Sequence, residues 1–226
     1  MSRIAMFFLL VIAPMLAMML ALLGVETIST NPLGWFLLLV GVVYTAGVVI
    51  VYWIRKEHFW ESSSKGTITQ EERGNRSYWL ITASMLAVFY MPPIEYLYFV
   101  VILPRSPWMS FSGVGLVLLG LVLFAWARFT LRSNYSGHVS VKSGQALVQN
   151  GPYRFIRHPA YAGYLWIAIG ISLGYSSISG LAAILLLLLP GLIYRMKVEE
   201  KVLTGHFGEV YLQYIHTTKR LLPGIW

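Results

Sequence analysis

The sequence predicts an all-α fold, a polytopic membrane helical bundle that ends in a helical hairpin. Three observations carry this. Only 12% of the 226 residues are charged and 57% are hydrophobic, against about 25% charged in an average soluble domain. The apolar residues gather into uncharged runs, several near the length of about 20 residues that crosses a hydrocarbon core. The lysines and arginines collect between alternate runs, as the positive-inside rule requires.

The elements follow in order. Ile4–Gly24 is an uncharged run of 21 residues. It reads as a retained first span, because its apolar core exceeds a signal-peptide h-region and no small-residue cleavage site follows. Pro14 would kink it, which membrane helices tolerate. Leu33–Ile54 is the second span, closed by "RKEH". Trp79–Leu103 is the third, broken by Pro92–Pro93, with Glu95 just beyond; Phe111–Leu131 is the fourth. Ala162–Leu173 and Leu181–Tyr194 are too short to cross singly. The Gly/Ser turn "GYSSISG" lies between them. Together 162–194 read as a hairpin that enters and returns to one side.

Charge tests this topology. With the N-terminus inside, sixteen of the seventeen basic residues fall on the cytoplasmic side and only Arg105 falls outside. A single crossing by 162–194 would instead export the five basic residues from Arg195 to Arg220. Segments 55–78, 132–161 and 195–226 therefore face the cytoplasm, and any sizeable polar site is there.

Composition also excludes classes. With no cysteine there is no disulfide framework, thiolate nucleophile or cysteine-bound metal. The net charge of +8 fits anionic headgroups and topology-setting residues rather than nucleic acid. The five histidines lack the i, i+4 spacing of a helical zinc site, so no metal site is expected. No dinucleotide fingerprint, Walker loop or nucleophile elbow occurs. A nucleotide-bearing cofactor would have to be held by the cytoplasmic loops.

The segment "NGPYRFIRHPAYAG" (150–163) is too structured for a plain aromatic belt. Gly151–Pro152 breaks regular structure. His158 precedes a proline and is biased away from helix. Pro159 suits a first turn, so a helix starts near Ala160 with free N–H groups facing the polar strip. Such a start beside Arg154 and Arg157 suits an anion or carboxylate. Tyr153, Phe155 and Tyr161 are rings that can stack on a flat group. In "YRMKVEEKVL", Arg195 and Glu199 are four apart on one helical face, and Glu199 and Glu200 are adjacent carboxylates.

Residues 132–226 resemble the isoprenylcysteine carboxyl methyltransferase family and, more broadly, the phospholipid methyltransferase group. The matching pieces are "NYSGHVSV", "ALVQNGPYRFIRHPAYAGY", "RMKVEEKVL", "FGEVYLQY" and "RLLPGIW", in the family's order. The first 130 residues resemble it only as spans. The resemblance implies four spans over 1–131 on the lipid side and a catalytic region over 132–226. It implies S-adenosylmethionine as cofactor, bound on the cytoplasmic face. Gln145, Ala146, Leu147 and Val148 would line its adenosine end. Tyr153 would pack against it. His158, Pro159, Ala160 and Tyr161 would hold its amino-acid and ribose parts. Glu199 would bond it, at its ammonium, and Arg195 would be the catalytic contact to a substrate carboxylate. The family pattern has a histidine where this chain has Gln145; both side chains donate and accept.

The implied reaction is methyl transfer to a lipophilic acceptor that enters from the bilayer. The carboxylate of an isoprenylcysteine-like substrate is favoured by Arg195. A phospholipid amine or a small thiol is the alternative, and an amine would need Glu199, Glu200 or His158 as base. A sterol-reductase-like nicotinamide enzyme shares a related Arg-His-Pro-x-Tyr segment but is longer. A transporter would show midplane polar residues or paired broken helices. All of this requires the segment 195–200 to close over 153–161 on one face of the membrane.

Overall fold

The computed structural model describes residues 31–55, 67–70, 72–99, 102–131, 140–142 and 145–222. The expected first span, Ile4–Gly24, lies outside them. Helix α1 is Pro32–Arg55, α2 is Glu72–Tyr98 and α3 is Pro107–Leu131. The hairpin follows as α4 (Pro159–Gly174) and α5 (Ile178–Phe207), and α6 is Glu209–Thr217. One short antiparallel ribbon departs from the all-α expectation: β1 (Thr67–Gln70) pairs with β2 (Ser140–Lys142). It joins the loops that follow α1 and α3, two segments that the charge pattern assigns to the same side.

Among the described residues, three helices are long and apolar enough to cross a membrane: Leu80–Tyr98, Pro107–Leu131 and Ile178–Phe207. Two expectations about these elements need correction. Helix α2 runs unbroken through Pro92 and Pro93. Proline removes a donor, but membrane helices absorb that loss when a neighbour packs closely. Here Pro92 is fully buried, and a Cβ on Gly180 of α5 would come within 2.7 Å of its Cγ. The second hairpin arm is also not short. It is helical for 30 residues, because the charged stretch from Arg195 onward keeps the helical phase after the apolar run ends. A π-helical turn, Ile184–Leu188, interrupts it just before Pro190, where the proline lacks the N–H that a regular turn would use.

Glycine lets α3 and α4 touch backbone to backbone. A Cβ on Gly120 would sit 2.6 Å from the Gly163 carbonyl oxygen, and one on Gly113 would sit 2.6 Å from that of Gly170. Small residues at such crossings bring membrane helices into close van der Waals contact. One core cluster joins α2, α4 and α5 through Ile81, Val88, Ala168, Ile184, Leu188 and Met196. A second gathers Leu33, Leu37, Val117, Ile167 and Ile171. Phe129, Val122, Leu185 and Leu186 are exposed, as lipid-facing positions are.

The hairpin tip is pinned at one end of the bundle. The Glu95 carboxylate accepts from Ser177 Oγ at 2.6 Å, Ser179 N at 2.9 Å and Ile178 N at 3.2 Å. It satisfies donors at the start of α5 that no helical carbonyl can reach. The Gly174 carbonyl accepts from Asn31 Nδ2 at 3.3 Å and Ser110 Oγ at 3.1 Å. Ser176 Oγ donates to the Pro104 carbonyl, and Arg105 lies over the Tyr96 ring at 4.5 Å. The opposite end carries the polar strip.

Candidate functional site

The strip begins at a residue only glycine can occupy. Gly151 has φ +59, and a Cβ there would lie 2.8 Å from Thr130 Oγ1. A 3-10 turn over Gly151–Arg154 follows. The chain then extends through Ile156–His158 and pairs with the C-terminal segment. Arg157 N donates to the Lys219 carbonyl at 2.7 Å and His158 N to the Arg220 carbonyl at 3.0 Å. Pro159 opens α4 as its first residue, and the His158 carbonyl accepts from Tyr161 N and Ala162 N, both at 3.1 Å.

Helix α5 returns to this strip, so the hairpin closes as expected. Tyr161 Oη donates to Glu199 Oε2 at 2.8 Å and accepts from Arg195 Nε at 3.1 Å. Residues four apart on α5 are thus bridged by one hydroxyl on α4. The His158 ring stacks on Tyr161, with centroids 5.5 Å apart and planes at 24°. Arg195 is buried, whereas the Glu199 side chain is 33% exposed and that of His158 only 3%. Glu199 therefore stands at the mouth of the site and Arg195 in its wall.

Behind them lies a buried ionic cluster. Glu200 accepts from Arg157 Nε at 3.1 Å, from Arg220 Nη2 at 2.7 Å and from His158 Nε2 at 3.3 Å. Arg157 also donates to the Ile215 and Thr218 carbonyls. Hydrogen bonding to Glu200 raises the Arg220 pKa further. Helix α6 supports the floor: Tyr214 Oη donates to the Tyr153 carbonyl at 2.6 Å. Burial pushes the Tyr214 phenol up to about 12. Burial also raises Tyr211, and the Glu200 and Glu199 charges add to the effect.

The structure thus brings together His158, Pro159, Ala160, Tyr161, Arg195 and Glu199, while Tyr153 is buried and held by Tyr214. Gln145, Ala146, Leu147 and Val148 lead into Asn150 without regular secondary structure. Val148 lines a groove with Phe129, Thr130, Asn150 and Gly151. Phe155, expected to stack on a ligand ring, is instead 48% exposed and covered by the Arg154 guanidinium at 4.4 Å. The sequence reading missed the clamp of Arg157, Glu200 and Arg220. Its signal was present: Glu200 lies about 100° around the helix from Glu199, so the two carboxylates need different partners.

The donor set suits a flat, polar, cationic cofactor. It offers a partly exposed carboxylate on Glu199, the Tyr161 hydroxyl and the stacked His158 and Tyr161 rings close together. Aromatic faces and carboxylates both attract cations.

Residues 108–210 match the phospholipid methyltransferase family model. The match reaches upstream into α3, where the sequence motifs alone showed only a span. Protein-S-isoprenylcysteine O-methyltransferase of Saccharomyces cerevisiae is 35% identical over 45% of this chain and 44% of its own length. That of Xenopus laevis is 32% identical over 54% and 43%. Protein-S-isoprenylcysteine O-methyltransferase A of Arabidopsis thaliana is 24% identical over 64% and 76%. The chain therefore spans less than half of the yeast and frog relatives it matches. The solved structure of the eukaryotic intramembrane Ras methyltransferase, an isoprenylcysteine carboxyl methyltransferase, superposes over 97% of this chain and 71% of its own, with TM-score 0.53 and 18% identity. At that identity the likeness shows a shared fold. The resemblance carried by the motifs in 132–226 is borne out, and the chain is an integral multi-pass membrane protein with the helical architecture of an intramembrane enzyme.

Proposed function

We propose that this chain is an S-adenosylmethionine-dependent membrane methyltransferase that esterifies the carboxylate of an isoprenylcysteine-like acceptor. One observation carries the reading: Tyr161 of the Arg-His-Pro-x-Tyr strip bonds both Glu199 and Arg195, so the two polar motifs form one site. Residues 1–131 form the lipid side and 132–226 the catalytic side. The charge pattern sets the site end and the C-terminus in the cytoplasm. The acceptor enters from the bilayer.

When bound, S-adenosylmethionine would supply an electrophilic methyl group on its sulfonium, and the products would be the methyl ester and the thioether. A carboxylate acceptor is ionised at neutral pH, so no residue need take a proton. The chain's work is alignment and exclusion of water. Glu199, at the mouth, accepts from the cofactor's ammonium, and Tyr161 fixes that carboxylate. His158, Pro159 and Ala160 shape the bed for its amino-acid and ribose parts. Tyr153 packs beneath it, and Gln145–Val148 border the adenosine end. Arg195, held through Nε by Tyr161, presents positive charge to the acceptor carboxylate.

The family model that matches is that of phospholipid methyltransferases, which keeps an amine acceptor as the second reading. The test is methyl transfer from labelled S-adenosylmethionine by detergent-purified protein to a panel of farnesylated cysteine, phosphatidylethanolamine and a small apolar thiol. Label in a base-labile ester of farnesylcysteine supports the proposal. Label in the phospholipid alone overturns the acceptor, and absence of any cofactor binding overturns the whole reading.

A further inference from the structure

Glu199 and Glu200 are neighbours in sequence with opposite situations. Glu199 faces the site, whereas Glu200 is enclosed. Both Glu200 oxygens accept from Arg220 Nε at 3.1 Å, and the Arg157 and Arg220 contacts already described complete a two-guanidinium cage. The Glu200 and Arg157 side chains are 9% and 7% exposed. A carboxylate between two guanidiniums is ionised, and an ionised carboxylate only accepts hydrogen bonds. The remaining group on Oε1 is His158 Nε2 at 3.3 Å. That nitrogen must therefore carry a proton. In a neutral imidazole the other nitrogen is then an acceptor. Nδ1 lies 3.9 Å from Glu199 Oε2, beyond hydrogen-bond reach. Nδ1 and Glu199 Oε2 are thus two adjacent acceptors, close enough for one donor to bond both.

We propose that Glu200 is a positioning residue of the cofactor site: it fixes His158 as the Nε2–H tautomer and so presents Nδ1, beside Glu199, to a donor group of bound S-adenosylmethionine. The identity of that cofactor rests on the function proposed above. Glu200 itself is no base, because guanidiniums and the imidazole occupy its oxygens. The clamp extends to the chain's end. Arg220 belongs to it, and the Lys219 and Arg220 carbonyls hold the backbone of Arg157 and His158. The C-terminal segment thereby sets the histidine's orientation from behind.

The experiment has two arms. Full-length protein in detergent, labelled with 15N at histidine, is observed at about pH 8, above the ordinary imidazole range. The His158 signal is identified by its loss in His158→Asn. The expected spectrum shows Nε2 protonated and Nδ1 bare, with a mixture of tautomers in Glu200→Gln and the original pattern restored in Glu200→Asp. Titration with S-adenosylhomocysteine is the second arm. Glu200→Gln weakens it about tenfold, as loss of an orienting hydrogen bond behind a ligand-bearing histidine does. The KM for S-adenosylmethionine rises in step while that for the acceptor moves by less than about twofold, a split that a mere fall in folded protein cannot give. A wild-type spectrum with Nδ1 protonated overturns the proposal, as does a Glu200→Gln protein with unchanged tautomer and affinity. The wild-type spectrum decides even if the variant fails to accumulate. Failure of the wild type to bind S-adenosylhomocysteine would count against the cofactor reading, while the tautomer still tests the role of Glu200.

Discussion

Tyr161→Phe removes a single oxygen, and that oxygen links α4 to both members of the Arg195–Glu199 pair. It accepts from Arg195 Nε at 3.1 Å and donates to Glu199 Oε2 at 2.8 Å. Hydrogen bonds to charged groups contribute roughly 1.5–3 kcal/mol each. Taking about 2 kcal/mol as the lost alignment, and a factor of ten for each 1.36 kcal/mol, kcat/KM falls about 30-fold. The ring stays, still stacked on His158 at 5.5 Å. The fold therefore holds, and the melting temperature falls by no more than the roughly 4–8 °C that about 2 kcal/mol gives in a chain of this size. The assay is initial-rate methyl transfer with cofactor and farnesylcysteine varied in turn, beside thermal unfolding of the same preparations. A Tyr161→Phe enzyme within about twofold of wild type would show that the hydroxyl bridge does not organise the site.

Three further outcomes follow from the same structure. Arg195→Ala retains S-adenosylhomocysteine affinity but loses turnover about 100-fold or more, as removal of a charged contact to the reacting group does; normal turnover refutes the role given to Arg195. Gly120→Val drives a side chain against the Gly163 carbonyl oxygen, 2.6 Å from the new Cβ, whereas Gly115 has nothing within 4 Å. Thermal unfolding should show Gly120→Val destabilised by roughly 1–3 kcal/mol and Gly115→Ala unchanged; equal melting temperatures would refute the close helix contact. Tyr214, held at about 12 against 10.0 in the free phenol, keeps its proton in the folded state after the unfolded chain has lost its own. Its contribution is complete below about pH 10 and is lost as pH rises through the folded value, so a stability–pH curve should fall at its alkaline end and fall less in Tyr214→Phe; identical curves refute the assignment.

Much of the fold was legible because lipid imposes a simple constraint. A run of apolar residues spans, and the basic residues at its ends set its direction. That logic located α1, α3 and the short α4 closely, and it predicted that 162–194 returns to its starting side. It misjudged α2 and α5 for one reason. Hydropathy reports the environment of a segment and not its backbone hydrogen bonding. Pro92–Pro93 looked like a break, yet Gly180 opposite makes room for an intact helix. The apolar run ended at Tyr194, yet the helix continued to Phe207.

The site divides in the same way. Spacing on one helix put Arg195 and Glu199 on a common face, and the break at Gly151–Pro152 and the start at Pro159 followed from local stereochemistry. What occupies that common face depends on a different helix 34 residues away in sequence for Arg195 and 38 for Glu199. The partners of Glu200 come from both sides of it, with Arg157 lying 43 residues before it and Arg220 lying 20 after. Sequence alone therefore determined the membrane class and the local shape of the strip, because each depends on residues within a turn or a span of one another. Only the tertiary structure decided which carboxylate opens to the site and which is sealed behind it, because two adjacent residues on a helix point about 100° apart and the packing of α4, α5 and the C-terminal segment determines what each one meets.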